Sequence, residues 1–442
     1  MNKQLQQFLT GRIWLREHTP FPREVIDAHI DSGHIRLKRG IESDKSTFLF
    51  WKLKKNFCNR CHNTNHSLFY KFHCARCNKS CVYCRHCIRM GRVSSCSELI
   101  LWNGKHARGA NDHVFDWNGQ LTPLQQKASE ELLVSVERNE SHLLFAVCGA
   151  GKTELLFPSI YTCLQRGKRV CVAAPRTDVI LELFPRFQKV FPKTTIHALY
   201  GGARDQEGFA DLVLTTTHQL YRFENAFDVV FVDEADAFPY YADETLQRAV
   251  TKAAKKDAAI HYVTATPNKS LKTKNQSMLS KRYHGHNLPV PRFSGLWGYE
   301  KKLKKGKVPY KLQQWIEQKT RDKIPFLVFL PTIEILESFP GDLPRVHAEH
   351  PERKETVMHL REKKIPGLLT TTILERGITI ENVHVAVVGA EQPIFTSSAL
   401  IQISGRVGRS SNYPTGDIVF FHHGITHEMD RAKAAIEGWN KG

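Results

Sequence analysis

Ala146-Val147-Cys148-Gly149-Ala150-Gly151-Lys152-Thr153 lies between an apolar run of strand length, residues 142–147, and a helix-forming stretch, residues 154–165. A strand that breaks into small residues and then enters a helix leaves a row of backbone N–H groups and a helix N-terminus facing one point. That arrangement favours a polyphosphate. In the G-x4-G-K-[ST] pattern the lysine reaches the β- and γ-phosphates and the hydroxyl holds Mg²⁺. Lys152 and Thr153 occupy those two places, with Gly149, Ala150, Gly151 and Glu154 forming the rest of the expected cradle. Ala146 stands where the strict pattern has glycine. A small-residue turn between strand and helix is also an ordinary tight turn, so the remaining chain has to decide.

An acidic partner follows some eighty residues later. Asp233-Glu234-Ala235-Asp236 closes the apolar run 228–232, and an acidic pair at a strand end can hold Mg²⁺ through Asp233 and polarise an attacking water through Glu234. Short apolar runs at 142–147, 169–174, 212–215, 228–232 and 260–264 alternate with helical patterns. The first helix has Thr122 as its expected N-cap and Pro123 in its first turn. Strands spaced by helices imply a mostly parallel sheet with ligands at the carboxyl ends of its strands. A second alternation has strands at 324–330, 345–347, 367–371, 383–388 and 417–422. It carries Gln402-Ile403-Ser404-Gly405-Arg406-Val407-Gly408-Arg409, whose two arginines are expected on one face of a helix. Guanidinium groups brought against a γ-phosphate neutralise charge that develops in the transition state. Thr264-Ala265-Thr266 ends the strand after the acidic pair, where hydroxyls can bridge one unit to the other. The expected fold class is therefore α/β, with a first lobe over residues 115–290 and a second over 300–442. Residues 268–311, rich in lysine, would be a basic linker or a phosphate-binding surface between them.

The 442 residues are 41% hydrophobic and 24% charged, the balance of a soluble globular chain with room for several cores. A formal charge of +19 and a pI near 9.4 imply a large polyanionic partner, nucleic acid foremost, with an anionic membrane surface as the alternative. Residues 1–19 lack the apolar centre of a secretory signal, and no run approaches the roughly 18 apolar residues of a spanning helix. The expectation is a cytoplasmic chain, where clustered cysteines point to metal before disulfides. Residues 1 to about 50 suggest no chemistry, only packing anchors in Trp14, Phe48, Phe50 and the adjoining Trp51.

Eight of the eleven cysteines fall between Cys58 and Cys96. A Cys-x2-Cys knuckle sets two thiolates at the separation tetrahedral Zn²⁺ requires, and two knuckles complete a structural site. Cys58, Cys61, Cys74 and Cys77 form one such set, leaving Cys81, Cys84, Cys87 and Cys96 for a second. Spacing allows interleaved pairings as readily as consecutive ones. Cys81 and Cys96 are the ones most easily read as buried apolar thiols. This defines an expected zinc module over residues 51–103, with cations and aromatics interspersed in a mixture suited to holding phosphates or stacking bases.

The ordered series Gln125, GAGKT (149–153), AAPR (173–176), TTTHQL (215–220), DEAD (233–236), TAT (264–266), TTTILERGITI (370–380) and QISGRVGRS (402–410) resembles superfamily 2 helicases. With a cysteine-rich module ahead of both lobes, the chain resembles the late competence protein ComFA family. That resemblance implies a DNA-dependent ATPase with two RecA-like lobes. Lys152, Thr153, Asp233 and Glu234 would bind and hydrolyse Mg-ATP, Gln125 would sit near the adenine, and Arg406 and Arg409 would complete the site. Arg176, Thr217, Thr371 and Arg376 would fall in segments that track the nucleic-acid backbone or couple it to the nucleotide. The implied role is translocation on single-stranded DNA during uptake. Implied partners are a membrane DNA channel at the inner face of the cell membrane, a phosphoribosyltransferase-like companion and a single-strand-handling protein; self-assembly into a homo-oligomer stays open. The rival readings are a duplex-unwinding DNA or RNA helicase, and a zinc-dependent DNA-binding or assembly factor with an ATP switch.

Overall fold

The computed structural model describes residues 1–48, 51–109, 112–203, 208–266, 271, 273–348, 350–375 and 379–441, with 44–48, 51–54 and 354 described by backbone alone. Two parallel sheets form the two RecA-like lobes. The first has seven strands in the order Ile196–Leu199, Leu212–Thr216, Val170–Ala174, Phe227–Val232, Ala254–Thr264, His142–Ala146 and Asn275–Leu279. Its central strands are buried along their length, as in Val170–Ala174 and Leu212–Thr216, because helices cover both faces. The helix Pro123–Glu137 begins as expected: Thr122 and Gln125 form a reciprocal capping box and the proline sits at the first turn. The second sheet runs Arg292–Gly295, Ile418–His422, His384–Val388, Phe326–Phe329, Gly367–Thr370 and Arg345–Val346.

The stretch 268–311 is not a separate linker. Asn275–Leu279 pairs in parallel with His142–Ala146 as the edge of the first sheet. Arg292–Gly295 pairs with Ile418–His422 as the edge of the second, so the second lobe starts ahead of residue 300. Edge strands keep polar residues on their open side, and in Asn275–Leu279 only Ser277 and Leu279 are buried. Half the apolar signal is then missing, and the lysines around it dominate the pattern. Lys269 and Lys272 lie outside the described residues.

The N-terminal region has no break at residue 50. Ile41–Phe48 and Trp51–Cys58 are the two strands of one antiparallel hairpin, which a division at 50 would cut. Glu98–Trp102 pairs with both Ile13–Leu15 and Ile35–Arg39 in a three-stranded sheet, tying Ile100 back to Trp14. Trp14 is buried and packs edge-on against Phe8 at 5.2 Å. The side chains of Phe48, Phe50 and Trp51 lie outside the described residues.

This module shares a core with the first lobe. Ile13, Leu15, Cys58, Cys61, Cys84, Cys87, Leu99 and Leu101 pack in one cluster with Ala173, Tyr221, Phe227, Val230 and Val250. Gly11 abuts Ala226 so closely that a Cβ there would lie 2.5 Å from the alanine Cβ. Arg169 crosses the seam, buried, donating to the Thr10 carbonyl at 2.9 Å and the Ala210 carbonyl at 3.0 Å. Module and lobe are thus one packed body.

Candidate nucleotide site and cysteine centres

The turn after His142–Ala146 is built by its glycines. Gly149 and Gly151 have φ of 82° and 75°, conformations costly for any side chain. A Cβ on Gly151 would also lie 2.4 Å from Nε2 of Gln125. That amide donates to the Ala150 carbonyl at 2.8 Å while its oxygen accepts from the Thr122 backbone at 2.8 Å. Gln125 therefore fastens the loop to the preceding helix. Lys152 opens the helix Lys152–Gln165, so the loop runs straight into an N-terminus of free N–H groups. Ala146 is fully buried within the strand, where its methyl group packs in the core and no positive φ is needed.

Asp233 stands at the end of Phe227–Val232 and accepts the Glu234 N–H at 2.8 Å. Glu234 is held at φ 52°, an uncommon conformation for a side-chain-bearing residue. Burial, and after it the charge of Glu234, push the Asp233 carboxyl up to about 6, against the pull of Lys152. A carboxylate desolvated beside a second carboxylate is suited to a divalent cation, whose charge would restore the ionised form. Thr266 donates to Asp236 at 2.6 Å and lies 3.0 Å from the Ser398 hydroxyl, joining the acidic turn to the second lobe.

The two arginines do not share a helix face. The helix Ser397–Ser404 ends before them, capped by Gly405, which fits against the phosphate loop where a Cβ would lie 2.3 Å from that of Cys148. Residues 405–408 turn, with Gly408 at φ 71°. The two guanidinium groups take different partners as a result. Arg406 is buried and donates to the Glu375 carbonyl at 3.1 Å. Burial, then repulsion from Arg409, lowers its guanidinium to about 9. Arg409 bonds the Gly405 carbonyl at 2.9 Å and lines the inter-lobe cavity.

That cavity encloses about 700 Å³, within the range of small-ligand sites. Lys152, Thr153, Asp233 and Glu234 from one lobe face Gln402 and Arg409 from the other across it, with Gln125 at its edge. Trp117 and Tyr283 add aromatic surface to the lining. Glu154 also lines it and pairs with Arg186. The twin glycine turns, the helix start and the clustered cations fit a nucleoside triphosphate, and the carboxylates with Thr153 fit its Mg²⁺.

Sequence reasoning missed a group of residues that hold the lobes together at this cavity. Cys148 donates to the Gln402 amide oxygen at 3.1 Å. Arg282, buried just beyond the edge strand, donates to the Cys148 carbonyl at 3.2 Å and to the Gly408 carbonyl. Its neighbour Tyr283 donates its backbone N–H to Gly149 at 3.2 Å. Nothing in the pattern distinguished Arg282 from the surrounding exposed cations. Farther along the cleft, Arg353 pairs with Asp178 at 2.7 Å, and Arg176 donates to the Ile373 carbonyl at 2.5 Å. Thr217 is fully buried at the start of the 3-10 turn Thr217–Arg222, and Thr371 precedes the turn Thr372–Leu374. Arg376 lies outside the described residues.

The eight clustered cysteines form two sets, interleaved along the chain. Cys58 and Cys61 gather with Cys84 and Cys87; Cys74 and Cys77 gather with Cys81 and Cys96, each set with its sulfurs within 4.8 Å of one another. The consecutive grouping of Cys58, Cys61, Cys74 and Cys77 is therefore not formed, and Cys81 and Cys96 are not isolated apolar thiols. Hairpin register explains the pairing. Phe69–Cys74 and Lys79–Cys84 place Phe72 opposite Cys81 and Phe69 opposite Cys84. Residues three apart on a strand face opposite sides, so Cys81 and Cys84 must part company. Hydrogen bonding within the first set pulls the Cys87 thiol down, since its neighbours donate to the thiolate, and pushes the Cys61 thiol up, since it serves as a donor. Four sulfur donors at such separations suit tetrahedral Zn²⁺. Arginine supports each set: Arg60 bonds the Cys87 carbonyl at 2.6 Å, and Arg76 bonds the Cys96 carbonyl at 2.6 Å. Cations so placed offset the negative charge a tetrathiolate metal site carries.

Comparison with known proteins finds three family matches along the chain. Residues 1–101 match the competence protein ComFA N-terminal domain, residues 118–269 the type III restriction enzyme res subunit, and residues 306–411 the helicase conserved C-terminal domain. Competence protein ComFA of Bacillus subtilis is 42% identical over 453 residues, covering 100% of this chain and 96% of that protein. Its namesake from Streptococcus pneumoniae is 38% identical, covering 84% of this chain and 91% of that one. Among solved structures, Saccharomyces cerevisiae Dbp5 bound to RNA and ADP BeF3 superposes with a TM-score of 0.55 at 17% identity, over 72% of this chain and 88% of that one. That similarity establishes the shared two-lobe fold.

Proposed function

The chain belongs to the ComFA family of competence proteins with a superfamily 2 helicase architecture, and on that premise we propose that it is an ATP-driven translocase on single-stranded DNA acting in DNA uptake. The observation that carries this reading is the cavity in which Lys152, Thr153, Asp233 and Glu234 meet Gln402 and Arg409 from the other lobe. A pure binding protein has no use for a cation brought in from a second lobe beside an acidic pair.

Each residue then has a task. Lys152 and the N–H groups from Gly149 onward neutralise the phosphates, and Thr153 with Asp233 would hold Mg²⁺, which withdraws charge from the phosphate oxygens. Glu234 orients and polarises the attacking water. Arg409 offsets charge on the transferring phosphate, a contribution worth roughly 10³ to 10⁵ in rate where such arginines have been removed. Arg406 acts from behind, fixing the loop on which Arg409 is carried. Release of the phosphate would weaken the attraction across the cleft, and reopening would advance a strand held by both lobes. The two cysteine sets would each hold one Zn²⁺ in a structural role.

Among the described residues no helix is long and apolar enough to cross a membrane. We place the protein in the cytoplasm, at the inner face of the membrane when it meets an uptake channel, with the companion proteins named above as family-implied partners. The deciding assay is ATP hydrolysis by the full chain with and without single-stranded DNA. Stimulation by the strand and its loss in Lys152→Ala are expected; a wild-type chain indifferent to every nucleic acid removes the motor reading. Displacement of a duplex placed ahead of the strand would instead favour the unwinding alternative.

A further inference from the structure

The hairpin formed by Phe69–Cys74 and Lys79–Cys84 has one face turned toward the core shared with the first lobe, where Phe69 and Val82 pack. Its opposite face carries Tyr70, Tyr83 and Phe72, which belong to none of the hydrophobic clusters among the described residues. These rings touch edge to face, Tyr70 to Tyr83 at 5.8 Å and Phe72 to Tyr83 at 5.5 Å, and the Arg92 guanidinium lies 4.6 Å from the Phe72 centroid. Tyr70 is 57% exposed. Cys74 and Cys81 share this face and are buried, but Phe72 and Tyr83 are only half-buried, so the three rings leave surface open to solvent beyond the cysteine set.

The surrounding charge is of one sign. Residues 45–97 contain eleven Lys or Arg and no Asp or Glu. Two tetrathiolate zinc sites would return about four negative charges, since four thiolates exceed one Zn²⁺ by two, and the module would still be cationic. Lys71, Lys79, Arg85, Arg89 and Arg92 are exposed around the hairpin. Flat π surfaces ringed by flexible cations suit a polyanion whose own flat groups are unstacked and accessible. Duplex DNA offers phosphates but keeps its bases stacked inside, whereas a single strand offers both.

We propose that the outward hairpin face of Tyr70, Phe72 and Tyr83, with Arg92, is a second contact for single-stranded DNA, stacking bases outside the cleft between the lobes. It rests on the single-strand reading above. Because module and first lobe are one packed body, a strand stacked here moves with that lobe through each cycle, giving the motor a grip that does not depend on cleft closure.

The test uses the full, zinc-loaded chain and fluorescence anisotropy with two labelled probes, an oligothymidylate and a base-free sugar-phosphate chain of the same length. Tyr70→Ala/Phe72→Ala is expected to weaken binding to the oligothymidylate about tenfold or more, with less than about a twofold change on the base-free chain. Lys79→Ala/Arg92→Ala is expected to weaken both and to flatten the salt dependence. Tyr70→Trp, which enlarges the stacking surface, is expected to bind at least as tightly as wild type. Zinc stoichiometry and cooperative thermal unfolding check that each variant is folded; should the double variant fail that check, the Tyr70→Ala and Tyr70→Trp pair decides by opposite shifts. Undiminished binding by the folded alanine variants overturns the proposal, as does equal weakening on the two probes. A wild-type chain that binds neither probe sinks the single-strand reading itself, and the two failures are thereby distinguished.

Discussion

The two cysteine sets sit within one small module yet are built into the protein in different ways. Cys58, Cys61, Cys84 and Cys87 are all buried and lie in the core shared with the first lobe. Of the other set, Cys77 and Cys96 are only partly buried, and none of its four sulfurs belongs to a hydrophobic cluster among the described residues. Polar contacts repeat the contrast. His86, between two ligands of the first set, lies 2.8 Å from the Tyr221 hydroxyl, which in turn lies 3.0 Å from Thr245. Lys252 reaches from the first lobe to the Arg60 carbonyl and bonds the Tyr221 carbonyl at 2.9 Å. Tyr221 belongs to the turn Thr217–Arg222 that begins with Thr217. The first set thus braces a segment expected to track nucleic acid, while the second organises an outward hairpin. One metal-binding device serves packing on one side of the hairpin and display on the other.

The contrast is open to attack in order of expected effect. Cys58→Ser removes a ligand from the shared core and is expected to cost several kcal/mol, lowering the melting of module and first lobe together by roughly 10 °C, with one zinc ion lost by elemental analysis. Melting at the wild-type temperature with that ion missing would erase the distinction. Chelator challenge of the wild-type chain, followed with a chromogenic zinc dye, is expected to release two ions in separate phases. The partly exposed set should empty about tenfold faster or more, and Cys74→Ser should abolish the fast phase alone. A single phase would mean that burial does not separate the sites.

Smaller effects sharpen the same point. His86→Ala is expected to destabilise the first lobe by about 1 to 2 kcal/mol and Tyr221→Phe by about 0.5 to 1.5 kcal/mol, read from denaturant midpoints. Because the two side chains touch, the double variant should lose less than the sum. Strict additivity would show that the bridge contributes no coupling. Least of all, Cys74→Ser should shift first-lobe melting by less than about 3 °C, because no part of its set enters that core. A shift equal to that of Cys58→Ser would make the two sets structurally equivalent.

Much of the architecture was legible because its signals are contiguous. The cradle around Lys152, the acidic pair and the capped helix at Thr122 each occupy neighbouring residues, so local geometry and local chemistry coincide. The edge strands Asn275–Leu279 and Arg292–Gly295 were not legible, since an open side tolerates polar residues and mimics a linker. The arginine pair was misplaced for a related reason. Three-residue spacing implies one helix face only if the helix persists, and here it ends at Ser404 and the chain turns through residues 405–408, with Gly408 at φ 71°. Arg282 had no local signature at all; its role comes from carbonyls about 126 and 134 residues away.

By itself, then, the sequence determined the two α/β lobes, the phosphate cradle, the acidic pair and the presence of eight clustered thiol donors, because spacing along a strand, turn or helix suffices to place each one. Tertiary structure alone decided which cysteines share a centre, that Arg409 and not Arg406 lines the cavity, and that the cysteine module is fused to the first lobe. Those outcomes depend on strand register and on contacts between distant segments. Hairpin parity sends Cys81 outward and Cys84 inward, and only the packed chain reveals which side is which.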